Sequence, residues 1–183
     1  MPSEKIKAKL IDKQGLQRTI TRLAHEIIER NKGVESLAIV GIRSRGAPLA
    51  ERVVQKIQDI EQKPIPLGTL DISMYRDDYK HKIPTVKGTD IPFNIDDMNV
   101  VLIDDVFYTG RTARAAMDAL MNYGRPATIQ LAVLVDRGHR QLPIKADYVG
   151  KNIPTSIGEK VKVRLAELDG EDSVILIDTE EDL

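Results

Sequence analysis

The 183-residue sequence has no cysteine, which excludes a disulfide framework. It has no apolar run long enough to span a bilayer and no amino-terminal apolar block of the signal-peptide type, so no membrane partner is expected and the cytoplasm is the expected compartment. An excess of one charge is also missing. Twenty-seven Lys and Arg face 28 Asp and Glu for a formal net charge of -1, so any site for a polyanion has to be local. Repeats and low-complexity tracts are absent, and the acidic stretch DTEEDL reads as a frayed end. What is present is 42% hydrophobic and 30% charged residues, in a length that suits one domain over 1–183 with a sizeable core.

Residues 15–31 place Leu16, Ile20, Leu23 and Ile27 on one stripe with Ala24 and Ile28 beside it, the period of an amphipathic helix. An apolar run, SLAIVGI (36–42), is followed by a helical period in APLAERVVQKI (47–57). Further buried-type strands, MNVVLID (98–104) and TIQLAVLVD (128–136), flank a helix expected from Thr112 to Tyr123, closed by Gly124 with Pro126 beyond. Alternating strands and helices predict an α/β fold: a doubly wound, mainly parallel sheet with helices on its faces and the ligand outside the carboxyl ends of the strands. Residues 75–93, polar and without period, read as a long lid or binding loop. Val161, Val163 and Leu165 alternate with charged residues and, with SVILID (173–178), predict strands at the edge of the main sheet or outside it.

Two strand ends carry chemistry. In VVLIDDVFYTGRT (100–112), an apolar strand meets two aspartates and then a small polar loop that opens a helix. Such a loop offers backbone N–H groups and the positive end of a helix dipole to an anion. Thr109 and Thr112 add hydroxyls, Gly110 permits close approach, and Arg111 lends charge, which suits a monophosphate. Asp104 and Asp105 would repel a polyphosphate but accept hydrogen bonds from vicinal hydroxyls, so the combination points to a ribose 5-phosphate. The bland alternative is that the acids end the strand and cap the next helix. The Lys-Ser/Thr ending of a nucleotide-triphosphate loop is absent. In GIRSRGAP (41–48), Arg43 and Arg45 stand where a second anion would lie, or are solvated in a turn.

The first string resembles the phosphoribosyl-diphosphate (PRPP) signature of type I phosphoribosyltransferases. That resemblance implies their fold, with a small hood and a flexible active-site loop. It gives Asp104 and Asp105 the ribose hydroxyls, wraps the 5-phosphate with Tyr108, Thr109, Gly110, Arg111 and Thr112, and counts Val106 and Phe107 among the residues that bind PRPP or UMP. Ser44, Arg45 and Gly46 become the diphosphate loop, with Mg2+ bound through PRPP rather than by a certain protein ligand. Arg76 in SMYRDDY becomes the residue closing over the leaving group, and Val135, Asp136 and Arg137 meet the base. Phe107 is bulkier than the usual aliphatic and is expected to repack the pocket edge.

LAHEIIERNKG, VDRGHR and PIKADYVGKNIPTS, with the signature, resemble the bifunctional pyrimidine operon attenuation regulator and uracil phosphoribosyltransferase, the PyrR family. The resemblance implies PRPP and uracil giving UMP and pyrophosphate, UMP-sensed binding to pyrimidine operon leader mRNA, and a homodimer or larger assembly. It carries an RNA surface onto Thr21, Arg22, His25, Arg30, His139, Arg140 and Lys151. Helical geometry independently puts Arg18, Thr21, Arg22 and His25 opposite the apolar stripe, although a solvated face with Glu26 and Glu29 pairing to arginines would look alike. Two other readings stay open from sequence: a purine phosphoribosyltransferase without an RNA role, and an RNA regulator that keeps the nucleotide pocket but has lost turnover.

Overall fold

Eight strands and four helices follow one another along residues 4–76 and 88–179, the part of the chain that this computed structural model describes. Five strands, β2 (Leu37–Ile42), β3 (Leu67–Leu70), β4 (Asn99–Phe107), β5 (Thr128–Asp136) and β6 (Tyr148–Asn152), form one sheet in the order β3-β2-β4-β5-β6. Every pairing in it is parallel. Helices α1 (Lys13–Arg30) and α2 (Gly46–Glu61) cover one face, and α3 (Arg111–Leu120) covers the other.

The period of two in each central strand divides the core. Ile39, Val101, Ile103, Ala132 and Leu134 pack with α1 and α2, while Ala38, Val40, Val100, Leu102, Leu131 and Val133 pack with the alanines of α3. The stripe expected on the first helix is the buried face of α1: Leu16, Ile20, Leu23, Ala24 and Ile27. Asp12 caps that helix by accepting from Gly15 N–H at 2.7 Å.

A second, antiparallel sheet in the order β1-β8-β7 joins β1 (Lys5–Ile11), β8 (Ser173–Asp178) and β7 (Glu159–Arg164), with the short helix α4 (Ala166–Asp169) between β7 and β8. Its apolar residues Val161, Val163 and Val174 join the core on the α1 and α2 side, so the sheet sits as a hood on the main sheet. Arg52 of α2 fastens it, donating to Glu167 and Asp172 at 2.8 Å each.

The structure differs from the sequence expectation in several places. β4 does not stop at the acid pair: Asp104, Val106 and Phe107 stay in register with Val133, Val135 and Asp136 of β5. The neighbouring strand supplies the ladder that carries the backbone through two polar residues. α3 ends at Leu120, because Asn122 and Tyr123 turn back to Ala119 and Leu120, and Gly124 then takes φ 151°. β1, β3 and β6 were not legible as strands. Of the lid expected over 75–93, residues 77–87 lie outside the described residues, and Asp90 returns to exchange backbone bonds with Thr69. Among the described residues, no helix is long and apolar enough to cross a membrane.

Candidate functional site

The carboxyl ends of β2, β3 and β4 meet at one edge of the sheet. Around a cavity of about 360 Å³ they bring Arg43, Ser44 and Arg45, then Asp71, Ser73 and Arg76, then Asp104 and Asp105. Gly46 opens α2 here. A Cβ at that position would collide with the Ile103 carbonyl and lie 3.3 Å from Asp104 Cα, so only glycine lets the helix start abut β4 beside the acids.

The acid pair caps nothing. α3 begins at Gly110 without a side-chain cap, whereas Asp104 Oδ1 accepts from Asp105 N–H at 2.9 Å and Asp105 Oδ1 accepts from Val106 N–H at 2.8 Å. Burial pushes the Asp104 carboxyl well above its ordinary value, and the neighbouring Asp105 charge pushes it further against the opposing pull of Arg76. Two adjacent carboxylates held this way cost stability in the free protein, which is usual where charge is stored for a ligand.

Ser44 and Arg45 reach the cavity, but Arg45 is engaged with the hood. Its Nε donates to Val163 C=O at 2.9 Å and its Nη2 to Asp169 at 2.8 Å. Burial pushes the Asp169 carboxyl up, but the Leu165 N–H and Arg45 outweigh it and hold the group below its ordinary value. Arg43 donates to Thr69 Oγ1 at 3.0 Å. Asp71, which sequence reasoning missed, ties the two stems of the long loop together, accepting from Ser73 N–H and Gly88 N–H at 2.9 Å each. Arg76 stands on the first of those stems and also lines the adjoining cavity.

That second cavity, about 470 Å³, shares Asp104, Asp105 and Val106 with the first and continues over Tyr108, Thr109, Gly110, Arg111 and Thr112. Gly110 adopts φ 93°, the left-handed region in which glycine is at ease, and turns the chain into α3. Phe107 packs in the core on the α3 side, 5% exposed, and also borders this cavity. Arg137 lines the same cavity. Its guanidinium lies 3.9 Å from the centre of the Tyr108 ring and donates to Glu159 C=O at 2.6 Å. Asp136 accepts from Gly138 N–H at 2.9 Å, and Val135 is fully buried in the core. Lys160 and Val161 of β7 complete the wall; the alternation in EKVKVR was the only signal for them.

The basic residues fall into neighbouring groups. Arg18, Thr21, Arg22 and His25 line an open concavity on α1 together with Gln14, Gln17 and Lys56, the last contributed by α2, which only the fold brings beside α1. Arg22 pairs with Glu26 and donates to the Gly150 carbonyl of β6, next to Lys151. Lys151 borders a separate concavity with Lys9 and Thr19. His139 and Arg140 are exposed on the turn after β5, His139 with φ 63°. Arg30 stands apart at the end of α1, paired with Asp147 at 3.0 Å over the Tyr148 ring.

Residues 8–168 match the family model of the phosphoribosyl transferase domain. The chain is 59% identical over 178 residues to "Bifunctional protein PyrR" of Pelotomaculum thermopropionicum, covering 96% of this chain and 98% of that relative. It is 56% identical to the protein of the same name from Bacillus subtilis, covering 95% and 98%. Among solved structures, a hypoxanthine-guanine phosphoribosyltransferase from Bacillus anthracis superposes with a TM-score of 0.71 at 22% identity, over 94% of this chain and 99% of that one. The hypoxanthine phosphoribosyl transferase of Trypanosoma cruzi superposes with 0.73 at 20%, over 98% and 95%. At such identity these two speak for the fold alone. An acid pair on β4, a glycine-turned loop into α3, and full-length likeness to the bifunctional proteins together identify the chain as a member of the PyrR family, built on the type I phosphoribosyltransferase fold.

Proposed function

We propose that this protein transfers the phosphoribosyl group from PRPP to uracil, giving UMP and pyrophosphate, and that it binds pyrimidine operon leader mRNA as a UMP-sensing attenuator of transcription. The observation that carries the enzymatic half is the continuity of the two cavities: they share Arg76, Asp104, Asp105, Val106 and Thr112, so the expected diphosphate loop, the acid pair and the expected monophosphate loop line one continuous space. In this reading the Tyr108–Thr112 loop takes the 5-phosphate at the start of α3. Asp104 and Asp105 take the ribose hydroxyls. Ser44, Gly46 and Arg43 face the diphosphate, and Arg45 would have to leave Asp169 to join them.

Catalysis rests on departure of pyrophosphate from C1 through an oxocarbenium-like state as a uracil nitrogen attacks. The protein contributes positioning, water exclusion and neutralisation of the leaving group by Arg76. Among the described residues, no cluster of three or more carboxylates or histidines is placed to hold a metal by itself. One or two of Asp71, Asp104 and Asp105 together with substrate oxygens would suit Mg2+, which when bound neutralises diphosphate charge. Arg137 and Lys160 both border the space left for the base.

The α1 concavity, Lys56, His139, Arg140 and Lys151 form the RNA face, with cations for phosphates and His25 and Thr21 for unstacked bases. A chain of net charge -1 makes few phosphate contacts alone, so at least a homodimer joins two such faces. The reading implies a cytoplasmic location, with the transcripts.

The test of the enzyme is product formation from PRPP with uracil, hypoxanthine or guanine offered separately. UMP formed from uracil supports the reading. Turnover of purines alone refutes it, and UMP binding without turnover reduces the pocket to a sensor.

A further inference from the structure

The turn that carries His139 and Arg140 is laid along the phosphate loop. Arg137 N–H donates to the Phe107 carbonyl at 3.1 Å, and Gln141 and Leu142 N–H both donate to the Thr109 carbonyl, at 2.8 and 3.3 Å. Arg111 Nε donates to Gln141 Oε1 at 3.3 Å. The Tyr108 ring adds an edge-on contact to His139, with 6.4 Å between centroids. Segment 137–142 is therefore held on one side by the short stretch 107–111, which faces the nucleotide phosphate in the proposed function, and on the other by Thr155, whose hydroxyl donates to the Arg137 carbonyl at 3.2 Å and whose carbonyl bonds the His139 ring.

The acceptors share peptide planes with the loop's donors. The Thr109 carbonyl belongs to the same peptide unit as Gly110 N–H, and the Phe107 carbonyl to the same unit as Tyr108 N–H. When an anion accepts from one of these N–H groups, the peptide polarises and its carbonyl becomes a stronger acceptor, by about 10–30% per bond. Phosphate on one side of the loop thus tightens the bonds that fix segment 137–142 on the other.

Resting on the function proposed above, we infer that segment 137–142, with Gln141 as its positioning residue, is the element through which nucleotide occupancy is read at the RNA face. UMP orders His139 and Arg140 before RNA arrives, so RNA binding carries less of the ordering cost. By reciprocity, RNA tightens UMP by the factor by which UMP tightens RNA.

Two measurements test this. The first titrates pyrimidine operon leader RNA into the wild type and Gln141→Ala, with and without UMP at fixed salt. The wild type should show a tightening of about 5- to 150-fold, the range for coupled sites. Gln141→Ala should lose roughly 2- to 30-fold of that factor, with UMP synthesis unchanged and RNA affinity without UMP nearly so. The second follows amide hydrogen exchange with UMP and no RNA, where the Gln141 and Leu142 amides should slow. Equal tightening in the two proteins, or unchanged exchange at these amides, overturns the inference. An RNA loss that is the same with and without UMP overturns it too, because Gln141 is then a plain contact. Failure of the wild type to bind leader RNA at all refutes the proposed regulatory function instead, and the exchange result then decides the coupling alone.

Discussion

Asp104→Asn should make the protein more stable and less active at once. The substitution keeps an Oδ1 to accept the Asp105 N–H now bonded at 2.9 Å, so the local turn survives while one of two adjacent ionisable carboxyls disappears. Burial, followed by the Asp105 charge, raises the Asp104 carboxyl well above its ordinary value. The folded state therefore holds this proton more tightly than the unfolded chain, and stability falls as pH rises from the ordinary carboxylate value through the raised one. At neutral pH, above the ordinary carboxylate value, the wild type bears a penalty that is absent in acid. A single stabilising substitution commonly yields about 0.5–2 kcal/mol, and about 2–4 °C of Tm follows each kcal/mol in a chain of this size, so Tm should rise by about 1–8 °C. Thermal unfolding of both proteins from acid to neutral pH is the assay. The gap should be widest at neutral pH and close in acid, where wild-type Asp104 is already protonated, while UMP synthesis falls at every pH. An Asn variant that is no more stable, or whose gain does not vary with pH, would refute the argument that the acid pair stores unfavourable charge for its ligand.

Other perturbations separate the parts of the molecule. Arg140→Ala and Lys56→Ala should each weaken leader RNA binding and reduce the slope of log affinity against log salt by about 1, leaving UMP synthesis intact; equal damage to both activities would mean that the RNA face and the base pocket had been confused. Arg52→Ala should cost about 2 kcal/mol, between an exposed pair and a fully buried one. Its hydrogen bonds hold Glu167 and Asp172 below their ordinary values, so that stabilisation is present above the ordinary carboxylate range and is lost as pH falls through the depressed values; urea unfolding at neutral and acid pH checks both statements. Gly46→Ala should cost about 1–3 kcal/mol by forcing α2 away from Ile103 and should lower turnover with it, read by denaturation and product assay together.

The legible parts of the fold were those with an undiluted period. α1 announced its buried stripe residue by residue, and β5 matched its apolar run from Thr128 to Asp136, because packing against one face selects those side chains. β3 and β6 hid because each is short and carries a glycine, and their identity comes from a parallel neighbour, not from their own pattern. β4 was cut short for the opposite reason: two acids broke the apolar run that the ladder to β5 continues through. In the site, the acid pair and the phosphate loop were readable as one contiguous string. Asp71, Lys160 and Lys56 were not, since each reaches its cavity from another element and only the fold makes them neighbours. Arg45 shows the limit of motif reading: its position was expected, but its bond to Asp169 depends on a hood more than a hundred residues away in sequence.

The most direct test of the central claim, that one phosphoribosyl pocket serves both an enzyme and an RNA switch, is a titration of pyrimidine operon leader RNA at fixed salt, with and without UMP, beside a scrambled RNA of equal length. Leader binding that exceeds the scrambled control and tightens with UMP is the expected result. Leader binding no stronger than the control, with or without UMP, would contradict the account and leave the basic face of α1 as solvated surface on a phosphoribosyltransferase.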